Sequence, residues 1–216
     1  MKESIERYNK NLPTNAWPNY CLGNLDSSRV ASRLGSSRVK AMNMILMLLQ
    51  GTPLTYYGEE IGMVDAARAP MQWSADAQAG FTDGSSSWLS VNEDYKDVNV
   101  LKAEETENSA LKIYREMTNL REDEAILFGK TNIFVQEDTF VLSRVKKGNP
   151  GYLLVSNFGE NPTTLDLQAL PNIAERGIVT IGDQTSDLTV DSNVDLADIS
   201  IPPNVSILVT FVPKFK

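Results

Sequence analysis

Histidine is absent from this chain of 216 residues, and cysteine occurs once, as Cys21. Without histidine the chain offers no imidazole general base, no Ser-His-Asp or Cys-His pair and no His-ligated zinc. A single cysteine excludes a disulfide within the chain and a cysteine-based metal cluster. Carboxylates remain as the strong acid–base candidates, and we expect no cofactor and no metal.

Long apolar runs and an excess of positive charge are also missing. The longest apolar run, Met44 to Leu49, is far shorter than the roughly 20 residues that cross a bilayer, and the first residues lack the apolar segment of a signal peptide. We therefore expect neither a transmembrane nor a signal segment in this chain. Twenty basic against 28 acidic residues give a net charge of −8, which repels phosphate backbones, so nucleic acid is not expected as a partner.

What is present is a globular composition, with 42% hydrophobic residues, whose pattern changes near residue 128. Residues 1–128 alternate helical and extended patterns. A helix is predicted over Arg38–Gln50, a strand over Leu54–Tyr57, and a second helix after Ser109, which is a plausible N-cap. This alternation predicts an α/β fold.

Residues 129–216 instead predict an antiparallel β domain, because short β-rich segments alternate with Gly, Pro, Asn and Asp turns. Turn frequency and length favour a sandwich over a closed barrel. The predicted strands are Thr131–Gln136, Thr139–Val145, Gly151–Asn157, Thr163–Leu167, Ile178–Gly182 and Val205–Val212.

Two segments carry side chains that could act chemically. Asp26 and Arg29 follow a strand-like run, where ligand sites of parallel α/β sheets lie. From the residues alone, however, the favoured expectation is that Asp26 caps the next helix and Arg29 lies on the surface. Glu59 and Glu60 are adjacent, so on an extended segment their carboxylates point to opposite sides. For these two we expect hydrogen bonds that anchor the loop.

Four motifs, in this order, resemble the α-amylase family of glycoside hydrolases, and in particular its maltase branch. They are Asn24–Gly35, Gly51–Met63, Arg68–Trp73, and Ala79–Thr82 followed by Trp88 and Leu89. Val155–Gly159 is similar to the β domain that ends such chains. The resemblance covers nearly the whole sequence.

The resemblance implies the C-terminal part of a TIM (β/α)8 barrel, residues 1–128, followed by an antiparallel β-sandwich, residues 129–216. The first six barrel strands have no counterpart in this sequence, so we expect another segment to supply the remainder of the barrel. Retaining glycosidases use a nucleophilic carboxylate and an acid. In this family both come from middle strands, which implies that this chain lacks them.

The site residues implied by the resemblance surround Asp26, which matches the third family carboxylate, the one that stabilises the transition state. Asn24, Arg29, Arg68 and Gln72 match substrate-binding or pocket-bordering positions, and Trp73 adjoins them. A structural role is about equally expected for the residues of the 68–73 loop.

Leu25 departs from the family, whose motif has histidine at that position, and a donor to developing charge is commonly worth about two orders of magnitude in rate. Besides Leu25, three segments look like the noncatalytic rBAT-type heavy chain of heteromeric amino-acid transporters: Asp26–Arg29, Met42–Met44, and Val98–Val100 leading to Ser109–Lys112. Asp26, Arg29 and the 68–73 loop also suit a working maltase.

Three interpretations therefore stay open: a noncatalytic ectodomain portion that supports a transporter light chain, the C-terminal part of an α-glucosidase acting on α-glucosides, and a fragment without a function of its own. The resemblance implies an extracellular or cell-surface location. Cys21 is expected to be a buried small hydrophobe. Asn204-Val205-Ser206 is the one glycosylation sequon, since Pro162 disqualifies Asn161, and we expect it to lie within a strand.

Overall fold

The computed structural model describes residues 1–185 and 187–215. The chain divides into two compact units, each built from separate stretches of sequence. The first unit comprises Met1–Tyr20, Met47–Pro53 and Met117–Lys216. The second comprises Cys21–Leu46 and Leu54–Glu116.

The helices lie in the first 128 residues. They are α1 (Lys2–Lys10), α2 (Val30–Leu34), α3 (Val39–Leu48), α4 (Val100–Glu105), α5 (Ala110–Leu120) and α6 (Glu124–Phe128), with 3₁₀ turns at Ser36–Arg38, Ala77–Gly80 and Glu93–Lys96. α3 is apolar on nearly every side and almost wholly buried, as expected of a helix without a polar face. The helix predicted over Arg38–Gln50 is confirmed, with its ends drawn in by one or two residues.

α5 begins where the sequence predicts. The Ser109 hydroxyl accepts a hydrogen bond from the backbone N–H of Lys112 at 3.2 Å, which satisfies one of the free donors of the first turn. Ile113 and Met117 are buried on the apolar side of the helix.

The strand predicted over Leu54–Tyr57 lies two residues earlier. β1 (Asn19–Cys21) and β2 (Thr52–Leu54) form a two-stranded sheet. The strand ends early because the backbone of Tyr56 closes a turn: its N–H donates to Glu59 Oε2 at 3.0 Å, and its carbonyl accepts from the Glu59 N–H at 3.1 Å. Tyr56 and Tyr57 gave this segment its strand pattern. The hydrogen bond from Tyr56 to the Glu59 carboxylate forms a turn instead.

Within the described residues, six strands of the first unit form an antiparallel sheet in the order β3-β4-β5-β10-β7-β8. β6 and β9 form a separate antiparallel pair. The strands are β3 (Lys130–Gln136), β4 (Thr139–Val145), β5 (Gly151–Asn157), β6 (Thr163–Leu165), β7 (Arg176–Gly182), β8 (Asn193–Asp195), β9 (Ile199–Ile201) and β10 (Ser206–Phe211).

The core of this antiparallel region follows the alternation of the strands. Along β7, Gly177, Val179 and Ile181 are buried, whereas Arg176 and Ile178 are exposed. The buried cluster takes side chains from the six-stranded sheet and from the β6–β9 pair. Its members include Val141, Leu153, Val155, Leu165, Val179, Ile199, Ile201, Ile207 and Val209.

Arg144, on the opposite face of β4, is fully buried in the first unit. Its guanidinium donates to the carbonyl oxygens of Ala125, at 3.3 Å, and Ile126, and to the hydroxyl of Thr131. Desolvation by burial lowers the pKa of Arg144 to about 10. A cation at the last turn of α6 also complements the helix dipole, so Arg144 joins β4 to α6.

Cys21 is exposed, so the expectation of a buried small hydrophobe was wrong. The residue closes β1, a strand of three residues whose first and last positions face solvent. Within the described part of the chain, none of the helices combines the length and the apolar character needed to cross a membrane.

Candidate functional site

The segment around Asp26, in the second unit, folds into a tight turn that Asn24 organises. The side-chain oxygen of Asn24 accepts from the backbone N–H of Asp26 at 2.8 Å and from the Ser27 hydroxyl at 3.0 Å. This turn presents the Asp26 carboxylate to solvent, with 78% of its side chain exposed. The oxygen of Asn24 is thus committed within the loop, and that leaves its amide nitrogen as the group to meet a ligand.

Arg68 meets Asp26 from the other motif of the predicted site. Its Nη2 lies 3.3 Å from Asp26 Oδ1, and its Nε donates to the carbonyl oxygen of Leu25 at 3.4 Å. Both charged side chains are more than half exposed, so the ion pair contributes less than about 1 kcal/mol to stability. Two of the candidate site residues, Asp26 and Arg68, therefore lie in contact as a solvent-exposed ion pair.

A pocket of about 370 Å³ adjoins Arg68 and is walled largely by aromatic rings. Its lining consists of Tyr57, Glu60, Arg68, Ala69, Pro70, Met71, Trp73, Phe81 and Trp88. Trp88 is 80% exposed, and Trp73 and Phe81 are about half exposed. Apolar walls with few polar groups are typical of small-ligand sites, and flat rings can stack on the C–H face of a sugar.

Glu60 supplies the carboxyl group of this pocket. Its Oε2 atom is buried and, within the described residues, has no hydrogen-bond partner. Burial raises the pKa of Glu60, against the lowering effect of backbone hydrogen bonds and of Arg29. Glu60 is therefore a group that can donate or accept a hydrogen bond at a ligand.

The neighbouring residue, Glu59, makes hydrogen bonds within its own loop. It is 4% exposed and accepts the Tyr56 N–H, which confirms the expected anchoring role, and burial raises its pKa as well. A Cβ at Gly23 would lie 2.5 Å from Glu59 Oε1, so any larger residue at that position would displace the Glu59 carboxylate.

Arg29 is buried, at 2% exposure, rather than on the surface. Its guanidinium donates to the carbonyl oxygens of Tyr57, at 2.5 Å, and Ala67, at 3.1 Å, and lies 4.6 Å from the centre of the Tyr57 ring. Its backbone N–H donates to Asp65 Oδ1 at 2.7 Å. In this geometry Arg29 holds the loop that carries Arg68, and direct contact with a sugar stays a prediction.

Gln72 is fully buried and uses both ends of its amide. Its Nε2 donates to Asp94 Oδ1 at 3.3 Å and to the carbonyl oxygen of Val98, and its Oε1 accepts from Asn92 at 3.1 Å. Gln72 thus ties the 68–73 loop to residues 92–98, while the adjacent Trp73 faces the pocket.

Sequence reasoning did not single out Glu60, Phe81 or Trp88 as pocket residues. Phe81 and Trp88 stood within the family motifs, and an aromatic residue in a run of Gly, Ser and Asp is the signal that could have singled them out. Glu60 carried no such signal, because only the fold decides which of two adjacent carboxylates faces a cavity.

Comparison with solved structures identifies the class of fold. The chain superposes on a mutant of isomaltulose synthase from Erwinia rhapontici with a TM-score of 0.82 at 20% sequence identity, over 98% of this chain and 46% of that one. The family model "Alpha amylase, catalytic domain" matches residues 1–129. The chain belongs to the α-amylase family.

Two kinds of curated relative resemble this chain. Amino acid transporter heavy chain SLC3A1 of Rattus norvegicus is 39% identical over 184 residues, which is 77% of this chain and 27% of the relative. Maltase A1 of Drosophila melanogaster is 34% identical over 193 residues, which is 76% of this chain and 33% of the relative. The chain thus spans about a quarter to a third of the length of these relatives.

Proposed function

We propose that this chain is a portion of a glycosidase-like ectodomain that is noncatalytic as this chain and resembles the heavy subunit supporting a heteromeric amino-acid transporter. The observation that carries the proposal is Leu25. It stands beside Asp26 where the family has histidine and is half exposed, but its side chain offers a ligand no hydrogen bond, and its backbone carbonyl already accepts from Arg68. A site so built can hold a polar ligand through Asn24 and Arg68 but lacks the donor that the family's histidine supplies beside Asp26.

The proposal includes the architecture. Residues 1–128 are the C-terminal part of a TIM (β/α)8 barrel, and residues 129–216 are a β-sandwich. The buried cluster shared by the six-stranded sheet and the β6–β9 pair supports the sandwich. The match of the catalytic-domain model up to residue 129 supports the boundary. Another segment supplies the remainder of the barrel.

The proposed location is extracellular or at the cell surface, and the proposed partner is a membrane transporter light chain. The support is the similarity to heavy chain SLC3A1. The net charge of −8 supports the expectation that nucleic acid is not a partner.

The second candidate is the C-terminal part of an α-glucosidase that hydrolyses terminal α-linked glucose. The pairing of Asp26 with Arg68 beside an aromatic pocket favours it, as does the similarity to Maltase A1. In this case Asp26 stabilises the transition state, and Asn24, Arg29, Arg68 and Gln72 bind or border the sugar.

The deciding experiment expresses the product of the complete transcript and assays maltose and p-nitrophenyl α-glucoside hydrolysis beside L25H and D26N variants. The heavy-chain proposal predicts no hydrolysis by the native product and its co-purification with a transporter light chain. Hydrolysis that D26N abolishes would establish the glucosidase instead. L25H is the matched control. Hydrolysis that appears only in L25H would show that leucine at position 25 is the residue that prevents activity.

A further inference from the structure

The turn before β10 places a potential modification site in solvent. Asn204-Val205-Ser206 matches the acceptor pattern for N-linked glycosylation, with valine rather than proline in the middle. The sequon was expected to lie within a strand, but only its last residue does so, because β10 begins at Ser206. Asn204 is exposed and lies in the turn between β9 and β10.

The turn has a physical reason to present Asn204 outward. The Val205 N–H donates to the Pro202 carbonyl at 3.4 Å, so Pro203 and Asn204 take the two central positions of a four-residue turn. Proline suits the first of these positions, and the second needs a positive φ in a type II turn, which asparagine tolerates. Asn204 has a φ of 56°.

The rest of the sequon is held firmly. Ser206 is 2% exposed, its N–H donates to Asp183 Oδ2 at 3.1 Å, and its carbonyl accepts from the Asp183 N–H at 2.8 Å. β10 lies between β5 and β7 in the sheet. Once the sheet has formed, the Ser206 hydroxyl is out of reach of an enzyme, whereas the Asn204 side chain still projects into solvent.

We propose that Asn204 is an acceptor for an N-linked glycan, attached before β10 pairs with its neighbours. The proposal rests on the extracellular placement proposed above, since the modification takes place in the secretory pathway. A sugar on an exposed turn residue leaves the buried cluster of the β region untouched, so the folded chain can carry it.

The test translates the 216-residue chain behind a cleavable secretion signal in the presence of microsomes. We expect one size shift that peptide-N-glycosidase removes. N204Q and S206A should lose the shift, and S206T should keep it, because threonine also satisfies the sequon. Enzymatic transfer to the purified, folded chain should fail.

The chain offers its own positive control at Asn161, where Pro162 blocks a second sequon. P162A in the N204Q background creates Asn-Ala-Thr and reports that the chain has entered the lumen. An unshifted native chain beside a shifted N204Q/P162A variant would overturn the proposal. A native full-length protein without glycan, beside a chain that is modified in microsomes, would overturn the extracellular placement and leave Asn204 as a competent acceptor.

Discussion

Two arginines near the candidate site make different contacts, and the difference should be measurable in the stability of their variants. Arg29 is buried against three backbone carbonyls, whereas Arg68 is more than half exposed beside Asp26. Leaving such buried acceptors without a charged donor costs about 3 kcal/mol or more, whereas exposed ion pairs contribute below about 1 kcal/mol. We expect R29Q to lower the free energy of unfolding by the larger amount and R68Q by the smaller, in denaturant titrations. Equal losses would contradict the assignment of Arg29 to loop structure.

Glu60 predicts a pH dependence of stability. Burial raises its pKa above the ordinary value of 4.5, so the folded chain binds this proton more tightly than the unfolded chain does. Stability from this group is complete below pH 4.5 and is lost as pH rises through the elevated folded pKa. E60Q cannot titrate at this position, so the melting temperature should fall less over this window than in the native chain and should be higher above it. Glu59, whose pKa is also raised by burial, accounts for part of the fall that remains. E122Q, at an exposed position, serves as the control, and a native-like pH profile for E60Q would contradict the prediction.

Individual residues also show how much of the site could be predicted from the sequence. Asp26 and Arg68 were assigned to one site from their motifs, and the structure brings their side chains together. The burial of Gln72 could not be predicted from the sequence, because its hydrogen-bond partners Asp94 and Val98 lie more than 20 residues away along the chain. Which polar side chain faces a pocket depends on such distant acceptors, and no local pattern encodes them.

At the scale of elements, the long strands were predictable, whereas among the three-residue strands of the β region β6 was predicted and β8 and β9 were not. β4 and β5 coincide with their predicted ranges, since seven residues give a clear β pattern. β8 and β9 have three residues each, and their buried positions alternate with Asn, Asp and Ser, which are typical of turns. Their pairing with β7 and β6 is a tertiary effect, so it left no signal in the local sequence.

The link between β4 and α6 is a prediction at this scale. Arg144 donates to the last turn of α6 and to Thr131, and it is fully buried. R144Q should lower the free energy of unfolding by about 3 kcal/mol, because hydrogen bonds to a charged donor are worth roughly 1.5–3 kcal/mol each and glutamine reaches fewer acceptors. K146Q, two residues on and exposed at its ion pair with Glu124, should change it by less than about 1 kcal/mol. Similar losses for both variants would rule out the proposed link.

At the scale of the whole molecule, the same arginine tests where the β region ends. The sequence pattern places the boundary at 128/129, whereas the compact unit that holds the six-stranded sheet also includes residues 117–128. A chain cut at 128 would leave Arg144 buried without two of its three acceptors. Helix α6 is therefore structurally part of the β region, although it also lies within the family's catalytic domain.

Two fragments, 117–216 and 129–216, turn this into an experiment. We expect 117–216 to melt cooperatively at the higher temperature, followed by circular dichroism, because it keeps the carbonyls of Ala125 and Ile126 for Arg144. R144Q in each fragment completes a double-mutant cycle: its cost should be large in 117–216 and small in 129–216, where the acceptors are already gone. Equal melting temperatures of the two fragments, or an equal loss of stability on R144Q in both, would instead place the boundary at 128/129. The β region would then not depend on α6 for its stability.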